Sequence, residues 1–318
     1  MFQEYSTPAF EKKYTYTGND LGHQWSPEQT LFRLWAPTAA DACVCLYRSG
    51  TEGTDDLIDT IPMCADVCGT WVARAEGDWN GTYYTYKVSV GGKTVESIDP
   101  YAVAAGVNGR RGMIIDLRGT DPQGWDKDTP PIPPRSETDN VIYELHVRDL
   151  SIDASSGIDA KGKFLGLTEE NTATPSGHPT GLAHICQLGV THVQLLPIYD
   201  YGSVDEAHPE KGYNWGYDPE NYNLPEGSYS TDPYNGSVRI RELKQAVLAL
   251  HKHGLGVVMD VVYNHVYHSF DFSVNKLVPG YFSREDANGK LSGGSCCGND
   301  TASERSMVHK FIVDSVNY

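Results

Sequence analysis

The spacing of apolar and polar positions divides the chain into two regions with different periods. Over residues 31–117 the apolar runs are short and are separated by clusters of Gly, Pro and Asp: LFRLWAP, ACVCLYR, TWVARA, GTYYTYKVSV, KTVES and GMIIDL. Runs of this length, rich in β-branched and aromatic residues, predict strands, and their close spacing predicts an immunoglobulin-like β-sandwich. Residues 82–90 are followed by Gly91 and Gly92, and the pair predicts a hairpin, because glycine adopts the positive φ of a two-residue turn without steric cost. The segment DPQGWDKDTPPIPPRSE then places four prolines between Pro130 and Pro134. Proline withholds a sheet donor and favours stiff extended chain, so this segment predicts a linker. The expected division is a sandwich over 1–120, a linker over 121–138 and a second domain over 139–318, with the sandwich closing its own core and folding alone.

Beyond the linker the period changes. VIYELHV (141–147), VTHVQLL (190–196) and GVVMDVVY (256–263) are apolar runs of strand length. Helical spacing is clearest in VRIRELKQAVLALHKHG, where Ile240, Leu243, Val247 and Leu250 mark one face and Gly254 the stop. Strands alternating with helices predict a parallel sheet, here about three units of a (β/α)8 barrel, whose long connections would gather at the strands' C-terminal ends where active sites lie. Near the end, Thr301 and Glu304 predict a capping box, and Met307, Val308, Phe311, Ile312 and Val316 the apolar face of the helix it starts. Residues 141–318 are fewer than the ~250 of a usual barrel, which points to a truncated one.

Composition narrows the ligand classes. With 39% apolar residues the 318-residue chain can bury an ordinary core. The formal charge of -17 repels nucleic acid and anionic lipid and leaves neutral ligands indifferent. Aromatics make up 11% of the chain, including 20 Tyr and 6 Trp, and flat rings stack on pyranose faces as readily as they fill sheet cores. Seven cysteines in irregular spacing predict reduced thiols, and Cys64 with Cys68 lacks the second pair of a zinc site. The N-terminus has no apolar signal core and no run approaches the ~18 apolar residues of a membrane span, so a soluble cytoplasmic protein is expected.

Two places carry candidate chemistry. Asp260 interrupts an otherwise apolar strand, where a carboxylate must be paired or hydrogen-bonded, and Asn264 and His265 follow at the strand's end. Glu144 and His146 fall on one face of the first strand and are expected to serve in structural pairing. The connection YNWGYDPENYNLPEGSYSTDPYNG holds Tyr213, Trp215, Tyr217, Tyr222, Tyr229 and Tyr234 among polar residues. It reads either as a carbohydrate platform or as a Tyr-rich loop packed back on the sheet.

At these residues the chain resembles type I pullulanases, α-1,6-debranching hydrolases of the alpha-amylase superfamily. YNWGYDP (213–219) is similar to their signature heptapeptide, DVVYNH (260–265) to the first conserved region of the superfamily, and HVQLLPIYDYGSVDE (192–206) and GNDTASER (298–305) to further pullulanase segments. Residues 20–118 resemble the carbohydrate-binding module 48 that precedes such barrels. The resemblance implies that Tyr217 stacks on the sugar at the cleavage site, that His265 hydrogen-bonds its hydroxyls with Trp215 and Asp218 also binding substrate, and that Asp260 braces an Arg of a later region. Asn264 supports the site, and its calcium role in many amylases is the only metal the resemblance raises; no cofactor is required. The expected partner is an α-glucan such as pullulan, starch or glycogen. The retaining mechanism needs a nucleophilic and an acidic carboxyl ~5–5.5 Å apart. In the family these follow on the fourth and fifth barrel strands, so both are expected beyond Tyr318 and the chain alone is expected to be inactive. The alternatives are an isoamylase or branching-type enzyme of the same superfamily, and a non-catalytic glucan-binding protein.

Overall fold

The structure is a computed structural model that describes residues 5, 7–53, 55–131 and 136–318. It begins with α1 (Pro8–Tyr14), started by Thr7, whose hydroxyl accepts the Phe10 N–H at 3.2 Å. The strands β1 (Gly22–Trp25), β2 (Gln29–Trp35), β3 (Asp41–Tyr47), β4 (Leu57–Pro62), β5 (Cys64–Ala65), β6 (Thr70–Glu76), β7 (Tyr83–Val90), β8 (Lys93–Ser97) and β9 (Gly112–Met113) follow. They form two antiparallel sheets, ordered β1-β2-β6-β5 and β4-β3-β7-β8, with β9 joined to the start of β7. Alternate residues point inward, as a two-residue side-chain period requires: Phe32 and Leu34 from β2, Val44 and Leu46 from β3, Tyr84, Tyr86 and Val88 from β7. The predicted hairpin joins β7 to β8, with Val90 opposite Lys93 and positive φ at Gly91 (58°) and Gly92 (76°).

The sequence pattern missed β1, β4 and β5. β4 is an exposed edge strand, LIDTIP, whose solvent faces leave no alternation to detect. GMIIDL, expected to be a full strand, pairs only at Gly112 and Met113; Asp116 then accepts the Arg118 N–H at 3.1 Å and opens a 3-10 turn. In the Pro-rich segment Ile132, Pro133, Pro134 and Arg135 lie outside the described residues, and the flanks form short 3-10 turns at Trp125–Lys127 and Glu137–Asp139.

The second region contains β10 (Ile142–Leu145), α2 (Val147–Ser151), α3 (Gly181–Leu188), β11 (His192–Leu195), β12 (Tyr199–Tyr201), β13 (Pro219–Pro225), α4 (Gly236–Lys252), β14 (Gly256–Met259), α5 (Ser273–Leu277) and α6 (Ser306–Asn317). β10, β11 and β14 make a parallel sheet in sequence order, with Ile142, His192 and Gly256 in register. It is an open sheet. β12 and β13 form a separate antiparallel pair, so the aromatic connection read as a loop contains a strand. No described helix is long and apolar enough to cross a membrane.

Continuous apolar packing joins the two regions. Phe32, Tyr84 and Tyr86 of the sandwich belong to one buried cluster with Tyr281, Phe282 and Phe311. The outer face of β3 and β7 is covered as well: Cys45, Tyr47 and Tyr83 pack with Ile240 of α4, and the Tyr83 hydroxyl donates to the Tyr234 carbonyl at 2.7 Å. The central strands β3 and β7 are therefore covered on both faces, one of them by the second region.

Two helix expectations change. The buried stripe of α4 runs through Arg239, Ile240, Glu242, Ala246 and Leu250, while Leu243 and Val247 are only half-buried. The charged residues sit inside because Arg239 is ion-paired with Glu206 and Glu242 accepts the Thr231 N–H at 2.9 Å, and apolar spacing alone cannot reveal that. At α6, Thr301 and Glu304 do not form a capping box: the helix starts at Ser306, and Glu304 is held instead by Arg284 in a two-point ion pair at 2.6 and 3.1 Å. The cap is Glu11 of α1, which accepts the Ser306 N–H at 3.1 Å across 295 residues of sequence. Met307, Val308 and Phe311 are buried as expected, but Val316 is 63% exposed. Glu11→Ala should therefore destabilise the chain by about 1 kcal/mol, the usual worth of a side-chain cap, and an unchanged urea midpoint would remove Glu11 from that role.

Candidate functional site

The parallel sheet brings three polar side chains together at the C-terminal ends of its strands. Glu144 of β10 pairs in register with Gln194 of β11, and Asp260 directly follows β14. Gln194 Nε2 donates to Glu144 Oε2 at 3.2 Å and lies 3.4 Å from Asp260 Oδ2. Asp260 was expected within the strand. The strand instead ends at Met259, and Asp260 is half-buried, with its backbone N–H donating to the Leu195 carbonyl at 3.2 Å. A carboxylate at the sheet's mouth keeps part of its hydration, which a mid-strand position would remove.

Tyr217 closes this group from above. Its hydroxyl donates to Asp260 Oδ2 at 2.8 Å, and burial together with this bond pushes the phenol's pKa upward, so it remains a proton donor at neutral pH. Its position depends on Gly216, whose φ is +95° and where a Cβ would lie 2.6 Å from the Pro197 carbonyl oxygen and 2.9 Å from Pro197 Cβ. Both the backbone angle and the backbone contact exclude a side chain. Gly216→Ala is expected to cost more than ~1 kcal/mol and to displace Tyr217. A crystal structure of the variant with the Tyr217–Asp260 hydrogen bond intact would contradict this.

The aromatic residues of this connection divide between surface and core. Tyr213 (49% exposed), Trp215 (62%) and Tyr234 (50%) face outward, whereas Tyr222 and Tyr229 are buried. Tyr222 stacks on Tyr263 with centroids 4.7 Å apart, and its hydroxyl donates to the His265 carbonyl at 2.6 Å. Asp218 is half-buried, and its Oδ2 accepts from Asn214 at 2.7 Å. His265 is buried; its Nδ1 lies 2.7 Å from Asn264 Oδ1, so Nδ1 carries the proton and Nε2, which has no hydrogen-bond partner among the described residues, is left as an acceptor. The pairing expected of His146 is present, since its Nδ1 accepts the Asp149 N–H at 3.3 Å and caps α2. Glu144 is exposed, and its carboxylate accepts from Gln194.

Sequence reasoning missed a second charged group. Asp200, Glu206 and Glu226, all buried, each bring an oxygen within 4.8 Å of the others, as ligands of a cation would. Arg239 of α4 supplies the cationic group beside them. Its Nη1 and Nη2 donate to the two Glu206 oxygens at 3.0 and 2.8 Å and to the carbonyls of Pro225, Gly106 and Pro233, with Asp200 Oδ1 3.9 Å away. Asn108 of the sandwich region closes the far side, its backbone N–H donating to Glu206 Oε2 at 2.5 Å and its Oδ1 accepting the Glu206 N–H at 2.8 Å. The guanidinium binds Glu206 directly and lies 3.9 Å from Asp200. Burial, then the charge of Glu206, raises the Glu226 pKa to about 8, and the same two causes push Asp200 well above the carboxylate range. Arg239 and Glu242 in the apolar stripe of α4 were the available signal.

Comparison with known proteins bears on both regions. Residues 20–102 match the family Carbohydrate-binding module 48 (Isoamylase N-terminal domain). A crystal structure of pullulanase from Paenibacillus barengoltzii, in complex with maltohexaose and alpha-cyclodextrin, aligns over 98% of this chain with a TM-score of 0.95 and 55% sequence identity. The chain carries a pullulanase N-terminal region. Pullulanase of Bacillus subtilis is 42% identical over 98% of the chain, and Pullulanase 1, chloroplastic, of Arabidopsis thaliana 34% identical over 97%. The match spans less than half of each pullulanase: 48% of the Paenibacillus chain, 42% of the Bacillus protein and 35% of the Arabidopsis one.

Proposed function

We propose that this pullulanase region supplies the sugar-positioning side of an active site that hydrolyses α-1,6 linkages in pullulan, starch or glycogen. The observation that carries the reading is the placement of Tyr217 over the C-terminal ends of three parallel strands, hydrogen-bonded to Asp260 at 2.8 Å. In (β/α)8 barrels active sites gather at those ends, and the three strands are proposed to be the first of such a barrel. The Tyr217 ring would stack on the sugar at the scissile bond. His265, with Nδ1–H directed to Asn264, would accept a sugar hydroxyl at Nε2. Trp215, the most exposed ring of the heptapeptide, would extend the platform, and Asp218 would hold its turn. Asp260, with Oδ2 already accepting two donors, would brace a cation brought by a later segment. Asn264 Oδ1 is engaged with the His265 ring, and the scheme includes no metal.

The hydrolysis itself is proposed to use a carboxylate nucleophile and a carboxylic acid ~5–5.5 Å apart, from sequence outside this chain. In a protein of the relatives' full length that contains these residues, Tyr217→Ala should remove the stacking surface and His265→Ala a hydroxyl contact. Each should lower kcat/KM on pullulan by roughly 2 kcal/mol or more, about thirtyfold. Near-normal turnover in both variants would place the sugar elsewhere.

A further inference from the structure

Tyr217 is hydrogen-bonded at its hydroxyl end, which leaves open what fixes its backbone. The heptapeptide is an outward-facing turn with half-exposed rings at Tyr213 and Trp215, and such a turn does not hold itself. Asn214 lies at its centre. Its Oδ1 accepts the Gly216 N–H at 2.8 Å, and its Nδ2 reaches Asp218 Oδ2 at 2.7 Å, Ser203 Oγ at 2.8 Å and the Gly202 carbonyl at 3.1 Å. One side chain thus ties both flanks of Tyr217 to the segment after β12. The Asn214 backbone carbonyl is engaged from the other side by His146 Nε2 at 2.9 Å.

The tautomer of His146 follows from its neighbours. Nδ1 accepts the Asp149 N–H, so the ring proton sits on Nε2 and is directed at Asn214, with the buried Tyr229 hydroxyl 3.1 Å away. The Asp149 carboxylate, 3.7 Å from Nδ1, is beyond hydrogen-bond distance of it and receives the Tyr213 hydroxyl at 2.7 Å. The ring is almost fully buried, and Tyr213 packs against it with centroids 5.3 Å apart. One ring therefore does two separable things. Its Nδ1 caps α2, and its Nε2 grips the turn that presents Tyr217.

We infer that His146 and Asn214 are positioning residues: through the Nε2–carbonyl hydrogen bond and the Asn214 amide they set the height and tilt of the Tyr217 ring for glucan. The inference rests on Tyr217 being the sugar-contacting ring. It assigns His146 a role beyond the structural pairing that its place at the end of the first parallel strand suggests.

Two substitutions separate the ring's two nitrogens. His146→Asn keeps an acceptor near Nδ1 and loses the reach of Nε2, whereas His146→Gln places an N–H near Nε2 and loses the cap. The 318-residue chain and both variants are titrated with maltohexaose by calorimetry, and hydrogen exchange is followed over residues 213–218. His146→Asn should melt within a degree or two of wild type, exchange at least tenfold faster over 213–218 and bind at least fivefold more weakly. His146→Gln should melt lower yet stay within twofold of wild type in exchange and affinity. Asn214→Ala should behave as His146→Asn. Unchanged exchange in His146→Asn, or affinity losses that follow melting temperature in both variants, would overturn the assignment. Tyr217→Ala serves as the reference: if it binds maltohexaose like wild type, or if the wild-type chain binds none, the reading of Tyr217 as the sugar contact fails, while exchange over 213–218 still decides the clamp.

Discussion

Replacement of Arg239 by Ala is expected to destabilise the chain by about 3–5 kcal/mol, the cost of stranding the buried Glu206 carboxylate once its ion-pair partner has been removed. The side chain is fully buried, and among the described residues it is the one that forms an ion pair with Glu206, with Asp200 Oδ1 3.9 Å away. It also bonds the Gly106 carbonyl, next to the Asn108 latch, so its loss would loosen the contact between the two regions as well as the floor behind β12. Replacing Arg239 and Glu206 together by Met should recover much of that loss, because an apolar pair of similar volume leaves one fewer buried charge to satisfy. The hub also sets a pH dependence. The Glu226 pKa of about 8 lies above the ~4.3 of an unfolded Glu, so between those values the folded chain binds more protons than the unfolded one. That contribution to stability is complete below the unfolded value and is lost as pH rises to about 8, and the raised Asp200 acts in the same direction. Urea midpoints across pH 5 to 8 measure both effects. A shift under 1 kcal/mol for Arg239→Ala would mean that water reaches the cluster.

Local chemistry was legible in the sequence and long-range pairing was not. The alternation in β2, β3 and β7 and the Gly91–Gly92 turn follow from neighbours within ten residues, and the structure contains them. The three parallel strands were visible as apolar runs, although each is shorter than its run, because Val141, His146, Leu196 and Asp260 lie beyond the paired registers. The cap of α6 could not be read locally: Glu304 has the capping-box spacing, but Arg284 takes it, and Glu11 supplies the bond from the other end of the chain. At the site, residue type pointed to Asp260 and His265 and the resemblance to Tyr217, and the structure joins Tyr217 to Asp260 directly. It also divides the aromatic connection, placing Tyr222 and Tyr229 in the interior beside Tyr263 and Phe164. Periodicity within a loop carries no information on which rings turn inward. The hub of Arg239 escaped for the opposite reason: its partners Asp200 and Glu206 come from β12 and the connection after it, and a charged residue in an apolar stripe looks like an interruption until they are seen.

The largest expected effect concerns hydrolysis itself. At the sheet's mouth Tyr217 is the ring proposed to position a sugar, and Asp260 accepts from Tyr217 and Gln194. Glu144 is the other carboxyl there; it is exposed, and it accepts from the same Gln194 at 3.2 Å. Positioning without a nucleophile and a general acid leaves the glycosidic bond intact, since the retaining mechanism forms a covalent intermediate on one carboxyl while the other protonates the leaving oxygen. Release of reducing ends from pullulan, measured for the 318-residue chain beside a protein of the relatives' full length that contains these same residues, tests the central claim. The account predicts turnover by the full-length protein, its loss by about thirtyfold or more on Tyr217→Ala, and none above background by the 318 residues alone. Clear hydrolysis by the 318-residue chain would contradict it, because a complete carboxyl pair would then lie among residues assigned here to positioning and packing.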